Sequence, residues 1–494
     1  MSCSSKLPIR AVLLAIAMLC AGPRLLAQDL EPSVSPSPVG SGARAAGMAN
    51  AFVAIADDAT AASWNPAGLV QLERPEFSFV QSYNRVVDYF EADARFPEAE
   101  DRHSSDALAL NYLSYVHPLP FLVLGRNVTV GIAYQQKYDF TRDFQLRYHQ
   151  SQPVTLSGRL AFFNQQEQLN FVQQGSLSAI SPAIAIELTQ RLSLGVTVNL
   201  WRSSFLSDND WTQRTRDTVG ASLLTAQAFA LRNQYESFEN FKGENLTLGL
   251  LWEINEHWKA GLRYDTAFTG DVKYRRRGFV SRFNNGTLNV EGLLEEERRE
   301  VHFPDSLALG VAYRHNDRLT VSLDVTRTDW NDFYLKDSRG NRTSLVDASD
   351  LGDPRSRTRM DPTYTVRLGA EYVFVPREPR ETLNRLWTLR GGVFYDEEPA
   401  SGRDNGFRVA LPDPGLAGIR SFLNSSYNRG SGEPDQFYGA GLGVGLLLSQ
   451  RVNIDLAYQL RYGPDVNRDF LRGVSGFRED FYQHRFLLST VVYF

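Results

Sequence analysis

Apolar and polar residues alternate strictly through most of the chain beyond about residue 75, and a period of two predicts β-strands. In "RLTVSLDVTRTDW", Leu319, Val321, Leu323 and Val325 share one face, while Thr320, Ser322, Asp324 and Thr326 share the other. "YTVRLGAEYVF" sets Tyr364, Val366, Leu368, Ala370, Tyr372 and Phe374 against Thr365, Arg367, Gly369 and Glu371. "RVNIDLAYQLRY" does the same, with Asn453, Asp455, Gln459 and Arg461 on the polar side. Strands are expected near 75–84, 105–117, 127–140, 176–188, 191–202, 243–253, 257–268, 304–314, 318–329, 362–374, 385–396, 435–449, 451–462 and 482–494. That is about fourteen, an even number, as a bacterial outer-membrane barrel requires.

A soluble β-sandwich also alternates, and three features separate the two. The strands run to about ten residues or more, enough to cross a bilayer at a tilt and longer than the usual soluble strand. Aromatic residues gather at strand ends, as at Trp330, Trp387, Tyr395 and Tyr462, where an interfacial girdle would lie. Connections alternate in length: "TQR", "NEH" and "HND" are tight, whereas 141–175, 203–242, 269–303, 330–361, 397–434 and 463–481 are long and polar. The expected fold is therefore all-β, a transmembrane antiparallel β-barrel. Its last strand, "FLLSTVVYF" ending in Phe494, closes on the first so that no backbone edge faces lipid. A terminal aromatic after such a strand resembles the signal read by the barrel-assembly machinery.

The start of the chain gives an address. Lys6 and Arg10 precede the apolar "AVLLAIAML", too short to span a bilayer, and Ala27 supplies a small residue for cleavage. Residues 1–27 are read as a secretory signal. A lipoprotein anchor at Cys20 is rejected because Leu19 stands where a small residue is needed. Both cysteines, Cys3 and Cys20, leave with the leader, so the mature chain has no thiol and no cysteine metal site. The formal charge of −5 becomes three units more negative without Lys6, Arg10 and Arg24, which argues against a nucleic-acid partner.

Between leader and strands stands "ADDATAASWNPAGL", read as two very short helices, with Asp57 or Asp58 capping the first and Asn65 the second, begun by Pro66. Its wider context, "GARAAGMANAFVAIADDATAASWNPAGLVQLERPEFSF", resembles the N-terminal plug region of the FadL/TodX family of outer-membrane transport proteins. The family's Asn-Pro-Ala motif falls on Asn65, Pro66 and Ala67. Further similarity runs in order through "PDSLALGVAYRHNDRLTVSLDVTRTDWNDF", "YTVRLGAEYVF", "WTLRGGVFYDEEP", "LPDP" and "FYGAGLGVGLL". The resemblance implies a fourteen-stranded barrel (75–494) closed by a small α-helical N-terminal hatch (28–74). It further implies passive admission of long-chain fatty acids or of aromatic and aliphatic hydrocarbons, and release into the bilayer at a kink in the third strand.

Several residues carry this reading. Asn65, Pro66 and Ala67 are candidates for the gate, placed to cover a wall opening. Gly131 is the candidate kink, since glycine inside a strand often marks a bend. The charges Arg263, Asp324, Arg327, Arg367, Glu371, Arg390, Asp455 and Arg461 are read as an inward ladder across the lumen. One arginine among them is a candidate for holding a carboxylate head group. The segments 160–174 and 221–235 have enough apolar residues for short amphipathic helices at the outer face. Seven histidines show no ligand spacing, and no catalytic set, metal site or cofactor is expected. The expected partners are a hydrophobic small molecule, outer-membrane lipids and the assembly machinery, with the protein a monomer. The competing reading is a protein-interaction barrel resembling the PorV secretion shuttle, which carries a similar early motif.

Overall fold

The computed structural model describes residues 39–494 except 95–96, 98–99, 157–158, 224–225, 285–286, 341, 345–361, 376–384, 399–433 and 467–475. The leader therefore lies outside the described residues. Two short helices, Ala43–Gly47 and Ala61–Trp64, and a 3-10 helix, Pro66–Gln71, come first. The strands follow as β1 (Glu76–Glu91), β2 (Asp101–Pro118), β3 (Val128–Asp139), β4 (Arg142–Leu156), β5 (Arg159–Thr189), β6 (Leu192–Trp201) and β7 (Trp211–Leu223). Next come β8 (Ala226–Glu253), β9 (Trp258–Asp265), β10 (Phe268–Asn284), β11 (Thr287–Phe303), β12 (Ser306–Arg314), β13 (Leu319–Thr328), β14 (Tyr334–Lys336) and β15 (Arg342–Ser344). The last are β16 (Thr363–Phe374), β17 (Arg385–Glu398), β18 (Asp435–Leu448), β19 (Val452–Val466) and β20 (Arg478–Tyr493).

Fourteen of these close into an antiparallel ring: β1, β2, β3, β5, β6, β8, β9, β12, β13, β16, β17, β18, β19 and β20. β20 returns to β1 in continuous register from Glu76↔Tyr493 to Glu91↔Arg478, so closure supplies the pairing lipid cannot. Side chains follow the pleat. Leu309, Leu323, Val325, Leu368, Leu389 and Leu456 are exposed on the outside, while Asp324, Arg367, Arg390 and Asp455 are buried within. The barrel and its strand positions are those the alternation predicts.

The surprise is height. β5 has 31 residues and β8 has 28, so β5 extends roughly 100 Å at about 3.3 Å per residue, some three times the hydrocarbon thickness. Their upper halves pair with β4, β7 and β10, and β11 continues the sheet to β14 and β15. The regions 141–175, 203–242 and 269–303 are thus mostly paired strands and not loops. The expected helices at 160–174 and 221–235 are corrected likewise. In 160–174 the buried residues Ala161, Leu169, Phe171 and Gln173 all fall on odd positions, a strand period, and pairing on both sides satisfies the backbone. Trp330 is also misplaced by the sequence reading: it is buried inside the mouth, its indole N–H donating to Thr363 Oγ1 at 3.1 Å.

The chain from 39 to 75 fills the lumen. Phe52, Trp64, Leu69 and Leu72 pack with Val116, Ala183, Ala185 and Ala312 of the wall. This close fit depends on inward glycines. A Cβ on Gly195 would lie 2.2 Å from Pro66 C, and one on Gly249 would lie 2.2 Å from Asn65 Oδ1. Gly195 and Gly249 are direct cross-strand partners. Gly261, Gly369 and Gly441 continue the arc, each with a backbone oxygen of the hatch 2.4 Å from where its Cβ would be. The wall from β6 round to β18 is therefore shaved down to receive the hatch backbone. Replacing Gly249 by Val should cost about 1–3 kcal/mol of hatch seating through overpacking. The variant barrel should keep its heat-modifiable electrophoretic mobility yet give open-pore conductance in planar bilayers, where the parent gives none.

Candidate transport pathway

The Asn-Pro-Ala triplet lies where the hatch meets β6 and β8. Asn65 Oδ1 accepts from the Ala67 N–H at 3.2 Å, capping the 3-10 helix that Pro66 begins. Its amide nitrogen donates to Val53 O at 2.9 Å and across to Leu250 O of β8 at 3.1 Å. One buried side chain thus ties cap, hatch and wall together. Asp57 and Asp58 do not cap the helix Ala61–Trp64, which has no side-chain cap. Asp58 instead accepts from Thr60 N at 2.8 Å, and Asp57 pairs with Arg44.

Charges hold the hatch from the other side. Arg44 makes two bonds to Glu371, both 2.9 Å. Glu371 also accepts from Arg390 Nε at 2.6 Å, and Arg390 reaches Asp455 at 2.6 Å. Asp324 accepts from Phe52 N at 2.6 Å and from Val53 N at 2.8 Å. Burial works against the Arg44 charge, but Asp57 and Glu371 outweigh it and raise its pKa well above the usual value. Burial raises the Asp58 carboxyl, with Arg44 and Thr60 pulling it back.

The other arginines of the expected ladder divide. Arg461 bonds Asp396 at 3.0 Å and Glu398 at 2.7 Å, Arg263 lies 3.1 Å from Asp265, and Arg367 donates to Thr326 at 3.3 Å. Arg327 is not in the lumen. It has the odd parity of Leu323 and Val325, faces outward and pairs with Asp329 at 2.8 Å.

The wall itself is incomplete at one seam. β2 and β3 pair only from Pro118↔Thr129 up to Tyr112↔Gln135, although β2 continues up to Asp101 and β3 to Asp139. Gly131 lies within the paired stretch, opposite Val116 and Ala183. The shift in register comes later, between Gln136 and Tyr138, against β5. The hatch's leading end spans the seam: Val39 N donates to Lys137 O of β3 at 3.0 Å, and Gly42 N to Asn111 Oδ1 of β2 at 3.4 Å. Cover at the seam thus comes from residues 39–42, while Asn65 to Ala67 anchor the hatch three strands further round the ring, at β6 and β8.

Beside Val39 is a pocket lined by Ser82, Asn84 and Val86 of β1, Gln136 and Asp139 of β3, and Phe437, Phe481, Gln483 and Arg485. Among the described residues no hydrogen bond or ion pair engages the Arg485 guanidinium, in contrast to the paired lumen arginines. Sequence reasoning passed over it; its even-spaced place opposite outward Phe486 was the available signal. Above β6 and β8, an aromatic cluster fills part of the mouth. Trp201 stacks on Phe268 at 5.2 Å, Phe268 on Phe303 at 5.0 Å, and Tyr138 on Phe303 at 5.3 Å, so the bulged end of β3 is tied to it.

Comparison with known proteins agrees with this architecture. The sequence profile of a family described as outer membrane protein transport protein (OMPP1/FadL/TodX) matches residues 39–418. An outer-membrane protein of Neisseria meningitidis serogroup B is 25% identical over 230 residues, covering 41% of this chain; the match spans 45% of that protein's length. Among solved structures, a deletion variant of the TodX monoaromatic hydrocarbon channel aligns over 92% of this chain and 99% of its own, at 15% identity and a TM-score of 0.53. A Pseudomonas aeruginosa FadL homologue aligns over 92% and 98%, at 16% identity and a TM-score of 0.49.

Removing Glu371 leaves both Arg44 and Arg390 short of a buried partner, a loss of about 3–5 kcal/mol for a broken buried pair. In Glu371→Ala the hatch should loosen while the barrel stays folded. Trypsin should then cut after Arg44 in intact barrels at a rate at least tenfold above the parent's, read by mass spectrometry of the released peptide.

Proposed function

Since the chain belongs to the OMPP1/FadL/TodX family of outer-membrane transport proteins, we propose that it admits long-chain fatty acids or hydrocarbons passively and releases them sideways through the wall between β2 and β3. The observation that carries the reading is the combination of a lumen plugged by residues 39–75 with a ladder that stops at Tyr112↔Gln135. An apolar solute gains roughly 0.8 kcal/mol for each CH₂ removed from water, so a watery pore is a poor route for it. A seam into the bilayer spares it a second hydration. Opening a barrel wall exposes unpaired backbone, which is tolerated only where protein or a water-filled cavity covers it. The bonds from Val39 to Lys137 and from Gly42 to Asn111 supply that cover at rest. Cargo in the pocket displaces them and leaves past Gln136. Asn65, Pro66 and Ala67 hold the rest of the hatch still meanwhile. Arg485, whose guanidinium has no hydrogen bond or ion pair among the described residues, receives the head group of a cargo that bears a carboxylate.

Deletion in the native host should abolish uptake of one of these solute classes, measured with labelled fatty acid and labelled aromatic hydrocarbon. Unchanged uptake of both, with loss of a secreted protein from the medium, would overturn this function in favour of a shuttle. Losing a charge-assisted hydrogen bond costs about 1.5–3 kcal/mol. Arg485→Leu should therefore weaken saturable uptake of carboxylate-bearing cargo by roughly ten- to a hundredfold, leaving hydrocarbon uptake unchanged.

A further inference from the structure

The turn joining β2 to β3, "LPFLVLGRN", differs from its neighbours on the short-turn rim. The other described tips on that rim are polar: Gln190 and Arg191; Asn255, Glu256 and His257; His315, Asn316 and Asp317; Ser449 and Gln450. Here Phe121 is 61% exposed, Leu122 62% and Leu124 93%. Val123 and Arg126 exchange backbone bonds, each 3.0 Å, closing a two-residue turn on Leu124 and Gly125. Their φ angles are +52° and +74°, the left-handed pair that favours Asn-Gly. A leucine there is sterically disfavoured and, in water, wholly exposed. Nothing among the described residues compensates for either cost.

We propose that this turn is a membrane anchor, its apolar tip inserted in the phospholipid leaflet that faces the periplasm. The rim is the periplasmic one, since short turns and both ends of the barrel chain lie there. The tip continues a lipid-facing surface: Tyr115 of β2 and Ile132 of β3 are exposed on the barrel's outside above it. Its charge suits phosphate head groups as well. Arg126 is exposed, residues 119–127 contain no acid, and nearby Glu187 is engaged by Asn127 at 2.5 Å. The anchored strands are the two that flank the seam, so the turn pins their lower ends to the leaflet.

Because both cysteines precede residue 28, a single cysteine can be labelled without removing others. Leu124→Cys and, as a control on a polar tip, Asn316→Cys would carry an environment-sensitive nitrobenzoxadiazole. Both would be placed in nanodiscs of phosphatidylethanolamine and phosphatidylglycerol. At Leu124→Cys we expect blue-shifted emission, with quenching by nitroxide-bearing lipid several-fold stronger than by aqueous iodide; at Asn316→Cys, the reverse. Iodide quenching of Leu124→Cys equal to that of the control would place the tip in water and overturn the proposal, leaving a periplasmic protein as its occupant. Leu122→Cys provides the same reading should Leu124→Cys fail to show heat-modifiable folding.

Discussion

Backbone pairing in lipid is the constraint on which this structure depends. An unpaired peptide group in hydrocarbon costs several kcal/mol, so the chain must close on itself, and any gap must be lined or covered by protein. The ring of fourteen strands meets the first demand through β20 and β1. The seam between β2 and β3 is the exception, and the leading end of the hatch bonds to both of its sides.

The rest of the interior is organised around keeping that hatch in one place. Glycines from β6 round to β18 bring the wall to the hatch backbone, and Arg44, Glu371, Arg390 and Asp455 form a continuous buried chain of charge. Such a chain is costly to break at one link, because the stranded charge stays out of water. The plug is therefore held at many points, and its residues 39–42, beside the pocket, bond to both sides of the seam.

The barrel was legible because period two is a local signal, repeated in Leu319–Val325, Tyr364–Phe374 and Val452–Tyr462. Where those strands end was not. In β5 the alternation that crosses the membrane runs on into the upper sheet, but Gln165, Gln166 and Gln168 dilute the apolar face until it reads as polar loop. Arg327 was legible by parity, since it follows Leu323 and Val325 by even steps. Trp330 resembled a girdle residue because aromatic residues mark both interfaces and mouths. The roles of Gly195 and Gly249, and the surroundings of Arg485, depend on contacts between residues far apart in sequence. Capping by Asn65 needed only its neighbours, and was visible from them.

The most direct test of the lateral route is where cargo touches protein on its way out. Photoreactive fatty-acid and alkylbenzene analogues, irradiated with barrels in native outer membranes and mapped by mass spectrometry, would record it. The account predicts adducts along the stretches of β2 and β3 that do not pair with each other, from Leu108 to Asn111 and from Gln136 to Asp139. Adducts confined to the periplasmic side of the hatch, at Gln71 and Leu72, with none at the seam, would contradict it.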